Sequence, residues 1–327
     1  MITTLLMALA AGLASALMFA SIVSGALISV LLFYLAPLPL MVAGLGWGPL
    51  SAAIGGIAAA AGLGLLFGMP YLVAFVVTVA IPAWWLGHLC LLGRAVVEGS
   101  PAVNGKPAIA PVMEWYPVGR VLLWIAGFAT LTTTSALLTL GTDSDTILGV
   151  LKQVLQRAVS GGDMAADATI SANAARVLDA LATIAPAAAG IVAIMTLMLN
   201  LWLSAKITAT SGQLRRSWPD LKSAALPPMT LVALALALAL SFAGGLAAIF
   251  GQIASATLMM AYALTGLAAL HTLTLGMKSR TLWLSSAYAV VMVFGWPILA
   301  LVGLGLADAF FGFRQRFLQR RPPTTAA

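Results

Sequence analysis

No Asp, Glu, Lys or Arg occurs between Met1 and Gly93; the first charged side chain of the chain is Arg94. A charge at the bilayer centre costs about 2.5 to 3.5 kcal/mol even on insertion scales, so a charge-free stretch of this length is suited to lipid. The whole chain is 62% hydrophobic and only 8% charged, against roughly 25% charged residues in a soluble domain. A soluble fold is thereby excluded. In lipid the backbone must satisfy its own hydrogen bonds, and runs of about 20 apolar residues do so as helices. The expected fold is all-α, a polytopic transmembrane bundle of about eight spans with a C-terminal membrane hairpin.

Turn signals divide the charge-free stretch at Ser24-Gly25, Gly46-Trp47-Gly48-Pro49 and Gly68-Met69-Pro70. Spans are predicted near Thr4 to Val23, Ala26 to Leu45, Leu50 to Phe67 and Tyr71 to Leu92. Leu5 to Ala20 has the length of a signal-peptide core, but without Lys or Arg before it and with further spans directly behind it reads as a retained span. Pro37 and Pro39 should break the second span, leaving carbonyls that neighbouring helices must satisfy. A fifth span runs from Val118 to Leu140 and a sixth from Ile184 to Ala205, with spans from Met229 to Phe250 and Ile253 to Gly276 beyond. The domain reading is a six-span bundle over 1–205, interrupted by an excursion at 141–183, followed by a C-terminal part over 206–327.

The excursion carries an amphipathic helix, with Ile147, Leu148, Leu151, Val154, Leu155 and Val159 at helical spacing, N-caps available from Asp143 to Asp145, and an end at Gly161-Gly162. A second, weaker helix starts near Ser171. These apolar faces lie on the membrane surface or cap the bundle; the sharper alternative is a lid over a cavity. Of the sixteen basic residues only Lys152, Arg157 and Arg176 fall in the excursion, beside five Asp. The other thirteen sit in segments after the fourth, sixth and eighth spans and near the C-terminus, so those segments are expected in the cytoplasm. Keeping Arg314, Arg316, Arg320 and Arg321 inside requires the run Thr281 to Phe313 to turn at Gly295-Trp296-Pro297. The expected location is the bacterial inner membrane, with both termini cytoplasmic.

Enzymatic signals are missing. Gly99 to Pro107 has the wrong spacing for a phosphate loop, HExxH does not occur, and Cys90 is the sole cysteine, so paired thiolate ligands cannot form. The chain is read as no enzyme, with no metal and no cofactor. The net charge of +7 is split among short segments rather than forming a stripe, so it speaks for anionic lipid and against nucleic acid. The candidate binding residues are the few polar groups at membrane depth: His88, Asn200, His271, Asp308 and Arg314. In poorly solvated surroundings Asp308 needs a partner; six positions is a poor helical match to Arg314, so His271 is the expected one. Ala8, Gly12, Ala16 and Ala20 form an i, i+4 ladder of small residues on the first span, and Gly56, Ala60 and Gly64 another on the third. Such faces let backbones approach closely. Packing inside the bundle and docking of a second membrane protein through the first span are both open readings.

Tyr262 to His271, Tyr288, Leu304-Gly305-Leu306-Ala307-Asp308 and Arg314 together resemble the YybS-like bacterial membrane proteins, domain of unknown function 2232. More remotely, the first six spans are similar to the substrate-binding S components of energy-coupling-factor transporters, through the small-residue first span and the Gly-Pro-Leu…Gly-Gly start of the third. That resemblance implies partner docking through Ala8, Gly12, Ala16 and Ala20. The functional expectation is a non-enzymatic small-molecule binding or transport subunit; the alternative is a structural or assembly factor organising other membrane or envelope proteins.

Overall fold

The glycines and prolines that punctuate the apolar sequence also punctuate the structure, a computed structural model that describes residues 2–96, 112–159, 172–219, 224–275 and 277–319. Helix α1 spans Ile2–Ala20, and a 3-10 turn at Ser21–Ser24 extends it. Helices α2 (Leu27–Leu35) and α3 (Pro37–Trp47) form the interrupted second span, followed by α4 (Pro49–Phe67). The fourth span is α5 (Met69–Phe75), a π turn at Val76–Ala80, and α6 (Ile81–Leu91). Pro82 in α6 cannot donate back to the Thr78 carbonyl, which accounts for the irregular turn just before it. A short antiparallel pair follows, β1 (Gly93–Val96) with β2 (Val112–Trp115), in the register Arg94 to Glu114. The charge-pattern reading did not foresee it.

Next come α7 (Val118–Leu138), α8 (Ser144–Val159) and α9 (Ala172–Thr210). The separate weaker helix expected near Ser171 is instead the start of α9, whose 39 residues run for about 58 Å, well beyond a bilayer core. Pro186 lies within it without ending it. The predicted amphipathic helix is α8, capped by Asp143, whose carboxylate accepts the Thr146 N–H at 2.9 Å and the Thr146 hydroxyl at 2.7 Å. These bonds hold the Asp143 pKa below its ordinary value. The end predicted at Gly161-Gly162 lies outside the described residues.

The C-terminal part contains α10 (Met229–Leu240), α11 (Gly245–Leu273), α12 (Arg280–Phe294), α13 (Ile298–Phe311) and α14 (Phe313–Gln319). The seventh and eighth spans were expected to part near residues 251–252. They part at Ser241 to Gly244, where Gly244 and Gly245 both adopt positive φ, at 81° and 59°, a conformation that side chains disfavour. The 12 residues of α10 reach only about 18 Å, short of a full crossing. Helices α12 and α13 part at Gly295 to Pro297, the position expected of the turn, and α13 and α14 bend by 64° at Gly312.

Among the described residues, seven helical runs are long and apolar enough to cross a membrane, or up to eight if the bent α13 and α14 pair counts as one. The protein is an all-α, multi-pass integral membrane protein. It divides into two compact units, Met1–Ile125 with Met195–Pro219 (unit 1) and Ala126–Ile194 with Asp220–Ala327 (unit 2). The division expected after residue 205 is not the one observed. Two of the three boundaries fall inside long helices, α7 and α9, where nothing in the sequence marks a linker; the third follows Pro219, beyond the end of α9.

Candidate functional site

In unit 1 the small-residue ladder of α1 is turned inward. A Cβ added at Gly12 would stand 2.3 Å from the Gly55 carbonyl oxygen of α4, and one at Gly55 would stand 2.3 Å from the Ala8 oxygen. Ala8 and Gly12 are buried, while Ala16 and Ala20 are half-buried. Of the residues expected to dock a partner, Ala8 and Gly12 are thus taken up by the crossing with α4 inside the unit, where close packing holds helices together in lipid, while Ala16 and Ala20 keep part of their surface. Gly56 and Gly64, on the second ladder, likewise face Ala80 and Leu72.

Next to this crossing lies the proline break of the second span. Ser15 of α1 donates to the Ala36 carbonyl at 2.6 Å, and the Asn200 amide of α9 donates to the Tyr34 carbonyl at 2.8 Å and to Thr196 of its own helix at 2.8 Å. Neighbouring helices thus serve carbonyls at the break, those of Tyr34 and Ala36 rather than the Phe33 and Leu35 carbonyls that Pro37 and Pro39 cannot meet. Two carbonyl acceptors fix the orientation of the Asn200 amide, since flipping it would set oxygen against oxygen. Its Oδ1 is then left buried without a donor among the described residues, on a residue with 0% exposure. A buried acceptor without a partner costs about 1 to 3 kcal/mol. This position is suited to accept a hydrogen bond from a donor group.

His88 lies on an aromatic shelf. Its ring centroid is 6.5 Å from that of Trp84 and 5.8 Å from that of Trp85, and Trp85 meets Trp124 of α7 edge-on at 5.2 Å. The Trp85 Nε1 donor is buried and has no acceptor among the described residues. Sequence reasoning used Arg216 only as a topological charge; it is also a structural anchor. Its guanidinium donates to the Cys90 carbonyl at 3.2 Å and the Tyr116 carbonyl at 3.0 Å, and lies 5.9 Å from the Trp115 ring centroid. Burial lowers its pKa from the ordinary guanidinium value. The available signal was the interleaving of cations and Trp, since Lys206 also lies over Trp218 at 5.3 Å.

Unit 2 contains the other three candidates, and it places them differently from the expectation. The Asp308 carboxylate accepts the Arg314 guanidinium at 2.6 Å and the Arg314 backbone N–H at 2.9 Å, with the two side chains only 6% and 7% exposed. Arg314 also donates to the Ala224 carbonyl at 2.8 Å. The helical match fails at six positions only if the helix continues. Gly312, at φ 63°, ends α13 in the left-handed conformation, and the bend swings Arg314 back over Asp308. His271 is not the partner: its Nδ1 faces the Leu267 carbonyl at 3.0 Å, and its Nε2 lies 3.5 Å from the Tyr288 hydroxyl.

The elements Tyr262 to His271 and Leu304 to Asp308 meet within this unit. A Cβ at Gly266 of α11 would stand 2.0 Å from the Leu301 oxygen, and one at Gly305 of α13 would stand 2.0 Å from the Tyr262 oxygen. The Tyr262 hydroxyl bonds to Thr230 of α10 at 2.6 Å. Under α8, Ile147 packs on Leu137, Ile249 and Ile253, beside an apolar pocket of about 300 Å³, and Lys152 pairs with Asp179 of α9. Helix α8 thus packs on α7 and α11 through Ile147 and Leu151.

Among the described residues, no group of three or more His, Cys, Asp or Glu could hold a metal ion. Compared with models of known families, with curated proteins and with solved structures, the chain matches none.

Proposed function

We propose that this chain is a bacterial inner-membrane protein of the YybS-like class that works without enzymatic chemistry, as a small-molecule binding or transport subunit. The observation that carries this reading is the Asn200 oxygen, buried and without a donor at the interrupted second span. Irregular backbone at membrane depth is tolerated where protein or a cavity surrounds it, and in transporters broken helices supply the binding groups. Unit 1 has two such irregularities, at Ala36 and at Val76–Ala80. A ligand presenting an N–H or O–H donor to Asn200 fits this arrangement. Thirteen of sixteen basic residues lie in segments that would be cytoplasmic if both ends of the chain are inside, which is the orientation we assign.

Native mass spectrometry of the full chain, purified in gentle detergent, tests the reading. Wild type is expected to carry a bound metabolite, and Asn200→Leu to lose it while remaining folded. An unliganded wild type, or equal occupancy in Asn200→Leu, would favour the alternative of a structural or assembly factor that binds no small molecule.

A further inference from the structure

Helix α12 buries none of its residues, although it follows the heavily buried α11. Between them lies an open apolar cleft of about 400 Å³, lined by Leu270, Thr274 and Met277 on one side and by Trp283, Ser286, Ala287 and Val290 of α12 on the other. The spacing of these α12 residues defines a single helical face. Arg280, three positions before Trp283, continues that face by helical spacing, and Lys278 directly follows the lining residue Met277. Neither cation has a carboxylate partner among the described residues. The Arg280 Nε donor is buried without an acceptor among the described residues. Trp283 is 57% exposed, and Trp favours the headgroup level of a bilayer.

An open apolar cleft with two cations adjoining its lining residues in the chain, neither paired with a carboxylate among the described residues, complements the chemistry of an anionic phospholipid. We propose that it is a specific site for one such lipid, with an acyl chain lying between α11 and α12 and the phosphate held by Arg280 and Lys278. The ligand is a phospholipid rather than a free phosphate, because the cleft offers far more apolar surface than cation. A cation at the membrane surface contributes about 1 kcal/mol towards anionic lipid, or roughly fivefold in affinity. This site is independent of the ligand proposed for unit 1.

The test is native mass spectrometry of the full chain equilibrated in mild detergent with equal amounts of phosphatidylglycerol and phosphatidylcholine carrying identical acyl chains. Wild type should retain phosphatidylglycerol at least about fivefold over phosphatidylcholine. Arg280→Gln should lower that preference by about fivefold, while Arg94→Gln, a change at an exposed residue paired with Glu114, should leave it unchanged. Ala287→Phe, which fills the cleft, should reduce retention of both lipids. Glycerol phosphate in excess should not displace the bound lipid. Equal retention of the two lipids by wild type would overturn the proposal without reliance on any variant. So would full retention in Ala287→Phe, or displacement by glycerol phosphate, because either would reduce the site to surface charge.

Discussion

Units 1 and 2 are built on the same contact and closed by different chemistry. Each crosses two helices at paired glycines whose Cα atoms lie against the opposite carbonyls: Gly12 and Gly55 in unit 1, Gly266 and Gly305 in unit 2. Around its crossing, unit 1 satisfies a broken helix with neutral donors, Ser15 and Asn200. Unit 2 instead secures a bent helix end with a buried ion pair, Asp308 and Arg314. Small residues can bring helices together in lipid anywhere along a span, where packing rather than hydrophobicity decides. A buried pair of charges is tolerated only with good geometry and further hydrogen bonds, which the Arg314 N–H and the Ala224 carbonyl supply.

The largest effect should come from opening that pair. Asp308→Ala removes the carboxylate that faces the buried Arg314 guanidinium, and should destabilise the protein by about 3 to 5 kcal/mol in detergent unfolding. Asp308→Leu combined with Arg314→Met should recover most of the loss, since an apolar pair is often as stable as the ions it replaces. A double variant no better than the single one would mean that the two residues act separately.

The glycine crossings come next. Gly305→Ala must displace the Tyr262 carbonyl and should cost about 2 to 3 kcal/mol, with Gly12→Ala close behind. Gly303, two positions away on the same helix, has open space around its Cα, so Gly303→Ala should be neutral or stabilising by up to about 1 kcal/mol through helix propensity. Equal thermal shifts for Gly303→Ala and Gly305→Ala would refute the crossing.

A smaller effect is expected in unit 1. Asn200→Leu removes a neutral donor from the Tyr34 carbonyl, for a loss of about 1 to 2 kcal/mol that is partly offset by removing the orphan oxygen. A loss as large as that of Asp308→Ala would erase the distinction between the units.

The smallest concerns the exposed cap of α8. Because folding lowers the Asp143 pKa, the cap contributes fully above the unfolded Asp value of about 3.9. It fades as pH falls through the lower folded value. The Thr146 amide resonance should therefore move only at pH below that of an ordinary Asp, and Asp143→Ala should abolish the transition. A midpoint at or above the ordinary value would contradict the capping geometry.

Much of unit 1 was legible because its sequence signals are local. The breaks near Gly25, Gly48 and Gly68 and the proline interruption at Pro37 all fell where glycine and proline chemistry places them. Unit 2 was less so. The apolar run through Ser241 to Phe250 hid a turn that only the Gly244-Gly245 pair announces. Arg314 was discounted as a partner for Asp308 by counting along a helix that Gly312 ends. Of the candidate site residues, Asn200 and Asp308 are structurally engaged as their burial demands, but the partner of Asp308 depends on a bend that helical periodicity cannot express. The inward use of the α1 ladder was equally hidden, because a close-packing face looks the same in sequence whether its partner lies in the same chain or another.

The account stands most directly on the independence of the two closures, and hydrogen exchange of the intact protein in nanodiscs reads it segment by segment. Asp308→Ala should raise exchange in α13, α14 and residues 224–228 while leaving α1 to α4 as protected as in wild type. Asn200→Leu should do the reverse, loosening α2 and α3 and sparing α13 and α14. Matching loss of protection across both units in either variant would contradict the account.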